Sequence, residues 1–484
     1  MQPCCLLLKV LVFCSLLPPH STLAAPLHVT WYAPFLSGGG YSSEAITYAI
    51  NLQQTLPPQS FSIVQFAEHA KSNVLDGLPL ATRTALQSLM RPAHTVVPSI
   101  SVCHSTPDVW VPNAAWGWGS VAPCPPPNAI YKVGRTMYET DRAPATWVLR
   151  LNGMDRIWVP TVFHKNAFAK SGVDPSKLVV LPEAVDVAFF NPSIHKPLAS
   201  LQLLIQFRMK SNSNKIPQQQ QIPNYINPTM EEYRQYYESH PDVLPTLTKT
   251  TQQPFIFLSI FKWEDRKNWQ GLLRAYFQEF SNTDGNDNNN VMLILKTSPF
   301  HNDRPIEEDI TKFALSLGLL AHAPYMVFGR HLALSELPSL YAAADAFVLP
   351  SRGEGWGRPH AEAMAMGLPV LATNWSGNTA FMNSTNSMLI PVDKLVERKP
   401  GDKEGHRWAE PSVSGLQKLM RHCVSHPLEV AQIGKRGRRT MVEEYSPEVV
   451  GRLLRKELKS IELEIDAKRS GGGGGGNEGP HTEL

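Results

Sequence analysis

Two stretches of the chain alternate short apolar runs with amphipathic patterns, and a polar stretch separates them. In the first, His28 to Pro34, Phe61 to Phe66, Val96 to Cys103 and Leu178 to Leu181 read as strands. The turn Ser37-Gly38-Gly39-Gly40 follows the first strand. A helix is predicted to begin near Ser42 or Ser43, with Glu44 in its first turn, where a carboxylate complements the helix dipole. Residues 200–253 break the pattern with Gln218 to Gln221, scattered Pro and Asn, and few apolar positions, which reads as an insertion or linker.

Alternation resumes at Pro254. Phe255 to Phe261, Val291 to Lys296, Tyr325 to Phe328, Ala346 to Leu349 and Leu368 to Thr373 are predicted strands. Trp269, Leu272, Leu273, Tyr276, Phe277 and Phe280 fall at helical spacing, as do Leu337, Leu340, Tyr341 and Ala344. Pro359 to Met366 is a short helix stopped by Gly367, and Pro447 to Lys468 a long amphipathic one. Strands alternating with helices imply parallel sheets covered on both faces, so the class is α/β with two Rossmann-like domains, 26–199 and 254–446.

Composition refines this picture at the edges. A length of 484 residues fits two or three domains at ~100–200 residues each. With 43% apolar and 18% charged residues, folded cores are expected. Lys plus Arg is 45 and Asp plus Glu is 42, and this near balance lacks the basic face of a dedicated nucleic-acid binder. The cluster Lys435, Arg436, Arg438 and Arg439 reads as a solvated helix face.

Leu6 to Leu17 is apolar with one Lys, and Ala24-Ala25 follow, which reads as a signal peptide over residues 1–25. An uncleaved signal anchor is the alternative, since no basic residue precedes the run; no later segment is long enough to span a membrane. Outside that segment stand Cys103, Cys124 and Cys423, which allow one internal bridge at most, Cys103–Cys124 among the options, and match no zinc spacing. The tail 469–484 carries Gly471 to Gly476, a flexible spacer, and ends His481-Thr482-Glu483-Leu484, one position away from a luminal retrieval signal. The expected location is the secretory pathway and the endoplasmic reticulum lumen; the alternative is an ending without meaning.

The segment Pro350-Ser-Arg-Gly-Glu354-Gly355-Trp356-Gly357-Arg358-Pro359-His-Ala-Glu362 carries the sharpest chemistry. It lies at the carboxyl end of a strand and opens a helix, the edge where open α/β sheets bind ligands. Pro359 suits the first helical position, and the N–H groups from Gly357 to Ala361, Pro359 excepted, point toward an anion. Two carboxylates beside an anion site make sense as acceptors from sugar hydroxyls on either side of a diphosphate. Lys262 and Lys267 follow the first strand of the same domain and are candidates to neutralise that diphosphate; solvated loop lysines are the plain alternative. Arg352 and Arg358 flank the loop. His104 ends an apolar run and is either a cleft residue or a core histidine. Ser43 stands where a dinucleotide fingerprint needs its third glycine, which opposes an oxidoreductase. No Asp-x-Asp pair suggests a metal site.

With these residues in hand, the chain resembles the retaining glycosyltransferases of family 4, strongly over 254–392 and again over 133–190 through Gly134 to Arg142 and Ile157 to Phe163. The likeness points to a plant and bacterial subgroup. It implies the GT-B fold, two facing Rossmann-like domains with a deep interdomain cleft, and a final helix, 447–468, crossing back to the first domain. It implies a hexose moved with retention from a UDP- or GDP-sugar co-substrate, with no bound cofactor or metal, to a glycan, lipid-linked or protein acceptor.

By the same resemblance, Glu362 binds ribose and Glu354 the donor sugar, while Lys262 and Lys267 bind the diphosphate. Gly39 and Gly40 face the phosphate from the other domain, and His104 sits near the transferred sugar, so Glu354, Lys267 and His104 are the catalytic candidates. Gly355, Trp356, Gly357 and Arg358 complete the donor loop. After Trp375-Ser-Gly377, relatives often carry Pro-Thr-Glu where this chain has Asn378-Thr379-Ala380. The missing carboxylate keeps a rival open: a catalytically inactive nucleotide-sugar or glycan-binding protein of the same fold. Asn374-Trp-Ser376 and Asn383-Ser-Thr385 are glycosylation sequons, and the first, beside the site, is expected to stay unmodified.

Overall fold

The computed structural model describes residues 27–91, 98–110, 123–198, 201–202, 205, 225–226, 253–281, 290–300, 305–319, 322–329, 332–398 and 405–471. The signal segment, nearly all of the polar stretch 200–253 and the tail beyond Gly471 lie outside them.

The first domain runs β1 (Val29–Ala33), α1 (Gly40–Gln53), β2 (Phe61–Gln65), α2 (Ser72–Gly77), α3 (Leu80–Leu89), β3 (Ile100–His104), β4 (Tyr131–Arg135), α4 (Ala145–Asn152), β5 (Arg156–Val159), α5 (Val162–Lys170) and β6 (Leu178–Val180). Its sheet is parallel, in the order β2-β1-β3-β4-β5-β6. Both faces are covered, so side chains alternate between two cores. Trp31, Ile63, Val102 and Trp158 enter one, while Tyr32, Val64, Cys103 and Ile157 enter the other. β4 and β5 were not separately predicted, because each is short and interrupted by charge: Lys132 and Arg135 in one, Arg156 in the other. Cys103 and Cys124 form a disulfide with Cα atoms 5.7 Å apart, and Cys423 is free and buried.

The second domain begins with β7 (Tyr225–Ile226) and β8 (Phe255–Trp263), then α6 (Trp269–Phe280), β9 (Val291–Pro299), α7 (Ile306–Ser316), β10 (Tyr325–Phe328) and α8 (Leu337–Tyr341). It continues with β11 (Ala346–Leu349), α9 (Arg358–Ala365), β12 (Val370–Thr373), β13 (Met388–Ile390), the antiparallel hairpin β14 (Val392–Glu397) and β15 (Arg407–Pro411), α10 (Val413–Ser425) and α11 (Pro427–Glu444). The sheet order is β13-β12-β11-β8-β9-β10-β7, parallel throughout. Strand order reverses between β8 and β11, and the ligand crevice of such a sheet opens at that switch point. α11 holds the basic cluster, but Arg438 is not simply solvated: its guanidinium donates to the carbonyls of Phe190 and Ala365.

The last helix, α12 (Pro447–Gly471), returns to the first domain. Val450, Leu454, Leu458, Ile461 and Ile465, spaced three or four apart along one stripe, complete the core formed by Trp31, Tyr48 and Trp158. Tyr131 donates to Glu464 at 2.6 Å and Trp158 to Glu457 at 3.1 Å.

Candidate active site

The segment 136–141, just after β4, joins the two domains. Asp141 accepts from Arg407 Nε at 3.0 Å, Thr140 Oγ1 lies 2.7 Å from His406 Nδ1, and Arg398 donates to the Tyr138 hydroxyl at 3.2 Å. On the other side of this segment lies the loop between β11 and α9. A Cβ at position 355 would overlap the Met137 thioether, so a larger residue there would force that side chain to move.

Lys267 and Glu354 meet at the switch point. Lys267 ends a single 3₁₀ turn after β8, and Glu354 lies in the loop after the neighbouring strand β11. Asn268, left-handed at φ 55°, caps α6 by accepting from Gly271 N–H and donates to Pro350 O at 3.1 Å, which fixes the two loops together. Lys267 Nζ lies 2.6 and 2.9 Å from the two Glu354 oxygens. Arg266 Nη1 adds a contact at 3.2 Å. Burial would raise the Glu354 pKa, but Lys267 and then Arg266 overcome it and hold the carboxyl at about 2. Ser376 braces the same residue, accepting from Glu354 N–H at 3.0 Å and donating to its carbonyl at 2.7 Å.

The second cation on Glu354 is therefore Arg266. Lys262 is exposed on β8, its ammonium 4.8 Å from the Phe300 ring centroid. Strand alternation accounts for this, since buried Phe261 and Trp263 flank it on the opposite face. Arg266 was hidden within the charge run Glu264-Asp265-Arg266-Lys267, which looks like solvated loop. Arg352, the other arginine beside the loop, is committed to Glu410 at 3.1 Å and to the Asp265 carbonyl at 2.6 Å.

α9 begins at Arg358, with Gly357 as its cap at φ 104°, a conformation that favours glycine. Pro359 is thus the second helical residue and not the first. Ala361 N–H already closes on Gly357 O at 3.0 Å, so the N–H groups left open at this terminus are those of Arg358 and His360. Glu362, one turn in, accepts from Tyr341 OH at 2.9 Å, and its other oxygen lies 3.9 Å from Arg358 Nε. Burial raises its pKa, with Arg358 and Tyr341 opposing. Trp356 is buried against Phe381 and Tyr445 at 4.8 and 5.4 Å, so this loop offers its backbone and not that ring to solvent.

In the first domain, Gly39 caps α1 and Gly40 faces open space. Tyr41 OH donates to Met137 O at 3.4 Å, placing this helix start beside the segment that touches Gly355. His104 does not reach a cleft. It is 0% exposed; Nδ1 accepts from Trp31 Nε1 at 3.1 Å, which leaves Nε2 to donate to Glu44 at 2.9 Å. Glu44 is itself buried inside α1 and not in the first turn, where it binds Arg135. Burial opposes its ionisation, yet Arg135 and then His104 hold its pKa at about 2. Among the described residues, no group of three or more His, Cys, Asp or Glu could hold a metal ion, and no helix is long and apolar enough to cross a membrane.

Residues 253–398 match the family model described as Glycosyl transferases group 1. That stretch is similar to the group 1 glycosyl transferases, and the fold of the chain is GT-B. Anabaena HepE, solved with UDP and glucose, superposes on 90% of this GT-B chain and all of its own, with a TM-score of 0.56 at 14% identity. Sucrose-phosphate synthase from Thermosynechococcus elongatus gives a TM-score of 0.54 at 13% identity, over 90% of this chain and all of its own. In sequence, O-antigen chain mannosyltransferase B of Escherichia coli is 41% identical over 58 residues, 12% of this chain and 15% of that relative's length. These neighbours establish the GT-B architecture, and the loop holding Glu354 and Glu362 falls inside the family match.

An interdomain cavity of about 370 Å³ opens between Pro160 to Phe163, Val180 and Pro182 on one side and Thr379, Ala380 and Tyr445 on the other. Ala380, where a carboxylate was missed in the sequence, lies on its wall.

Proposed function

We propose that the chain is a family 4, retaining, metal-independent glycosyltransferase that moves a hexose from a UDP- or GDP-sugar to a glycan, lipid-linked or protein acceptor. One observation carries this reading. Glu354 and Glu362 stand on either side of an open helix N-terminus at a sheet switch point, with Lys267 alongside. The N–H groups of Arg358 and His360, the Arg358 guanidinium and Lys267 would stabilise charge on the departing diphosphate, the electrostatic term that most often dominates. Glu362, with one oxygen turned to Tyr341, keeps acceptor capacity for ribose hydroxyls. Glu354, bound on both oxygens by cations, suits a hydrogen-bond acceptor better than a nucleophile, which favours front-face displacement. The likeness to a UDP- and glucose-bound neighbour supports a uridine donor first.

Ala380 and the saturated Glu354 favour the second reading, an inactive nucleotide-sugar-binding protein. Calorimetry with UDP, GDP and ADP on the wild type and Glu362→Ala tests the site. Selective binding of one nucleotide, weakened by the substitution and unchanged by chelator, supports it, and a folded protein that binds none of the three refutes it. Transfer or slow hydrolysis of the matching sugar nucleotide, with the product anomer read by NMR, separates enzyme from binding protein. We also place the protein in the secretory pathway, with residence in the endoplasmic reticulum lumen; the Cys103–Cys124 disulfide supports an oxidising compartment.

A further inference from the structure

Glu183 took no part in the sequence reading, yet it is 2% exposed and faces the N-terminus of α9 across the domain boundary. It follows β6 on a rigid turn: Tyr48 OH donates to Pro182 O at 2.6 Å, and Arg135 Nη1 donates to Leu181 O at 2.6 Å. Its partner in the other domain is Arg358, with Nη1 at 3.3 Å. On its far side Arg358 approaches Glu362, Nε to Oε1 at 3.9 Å. The first helical residue of the proposed diphosphate site is thus held between a carboxylate of each domain. Burial, and then the nearby Glu44, push the Glu183 pKa up to about 8 against Arg358 and Arg135, so the group carries its charge above that pH. There a fixed, buried carboxylate facing an anion site works against anion binding, because both negative charges compete for one guanidinium in a poorly solvated place.

We propose that Glu183 is the anion that Arg358 exchanges for the diphosphate, a positioning residue that weakens nucleotide diphosphate binding and speeds its release. The inference rests on the reading of α9 as the diphosphate site. With the nucleotide absent, the Glu183–Arg358 pair links the domains. With it present, Arg358 turns to phosphate, and Glu183 draws it back when the product leaves.

Calorimetry and stopped-flow dissociation at pH 9, where Glu183 is ionised, test this with UDP, or with GDP where the wild type prefers it, and with the matching nucleoside as control. Glu183→Gln is expected to bind the diphosphate about threefold to tenfold tighter, from loss of about one partly buried charge interaction, and to release it more slowly. Nucleoside affinity stays unchanged. Arg358→Gln weakens diphosphate binding, and Glu183→Gln in that background adds nothing. A packing role predicts the opposite sign, since a damaged interface loosens ligand. Diphosphate binding by Glu183→Gln that equals or falls below wild type overturns the proposal. Should Glu183→Gln not fold, Glu183→Asp withdraws the charge from Arg358 while keeping a carboxylate, and the same tightening is expected. A wild type that binds no nucleoside diphosphate refutes the function reading itself, and this inference with it.

Discussion

Lys267 and Glu354 lie 87 positions apart in sequence, yet the lysine ammonium sits 2.6 Å from one carboxylate oxygen and 2.9 Å from the other. Both are buried, and Arg266 shares the same carboxylate. The arrangement is a cation–anion–cation triad across the ends of two adjacent strands. Its attraction is offset at the lysine: burial, and then Arg266, push the Lys267 pKa below its usual value. The triad therefore shapes the floor of the site, and removing only the anion leaves two like charges buried together.

Glu354→Ala is expected to cost about 3–5 kcal/mol, the usual penalty for stranding buried charge, while Glu354→Gln costs less and still abolishes transfer. The pH dependence has a definite sign. The folded pKa of about 2 lies below the unfolded value of about 4.3, so the stabilisation is complete above the latter and lost as pH falls through the former. Thermal melting of Glu354→Gln from pH 6 to pH 2 should show a shallower acid loss than wild type. Glu44, with its pKa also at about 2, supplies the part that remains.

Glu362 offers a cleaner test of nucleotide recognition, since its carboxylate has few other duties. Glu362→Ala should weaken UDP by about tenfold, as expected for a lost hydrogen bond to a charged group, and should erase any preference for UDP over 2′-deoxy-UDP. Tyr341→Phe removes the hydroxyl that orients Glu362 and should give a smaller loss in the same direction. Equal discrimination between the two nucleotides by Glu362→Ala and wild type would remove Glu362 from the ribose site.

The second domain was the more legible in sequence because its strands are long apolar runs, and its glycine-bearing loop announces a strand–loop–helix junction. What could not be read was pairing at a distance. Arg266 and Lys267 are adjacent, and nothing local says that both turn inward. His104 ends a buried strand in either reading, and only the placement of Trp31 Nε1 and Glu44 shows both ring nitrogens occupied. Glu183 stood in an ordinary loop until the fold brought Arg358 of the other domain to it. β13 was missed because three residues after a turn carry too little periodicity.

The two sequons should behave differently when the chain is made in a secretory host. Asn383 is exposed in a turn with Thr385, whose hydroxyl donates to Asn383 Oδ1 at 2.6 Å. Asn374 is exposed too, but Ser376 of its sequon is buried and spent on the Glu354 backbone. Peptide mapping should find glycan at Asn383 and none at Asn374. Modification at Asn374 would mean that the loop is accessible before the site forms.

The returning helix α12 is expected to be a requirement for the first domain and not an appendage. Ile461 is 0% exposed and Leu458 3%, both within the cluster that holds Trp31 and Trp158, whereas Leu453 on the same helix is 44% exposed. Large-to-small changes in such a core cost about 2–5 kcal/mol for Leu or Ile to Ala, and about 0.5–1.5 for Ile to Val. Ile461→Ala and Leu458→Ala should therefore lower the melting temperature clearly, Ile461→Val slightly, and Leu453→Ala hardly at all. Because the helix begins in the second domain's chain and ends in the first domain's core, calorimetry should place the loss in the transition of the first domain. Tryptophan emission from Trp31 and Trp158 should shift to longer wavelength in that same transition. Equal, small effects at Ile461 and Leu453 would mean that α12 contributes no core to the first domain.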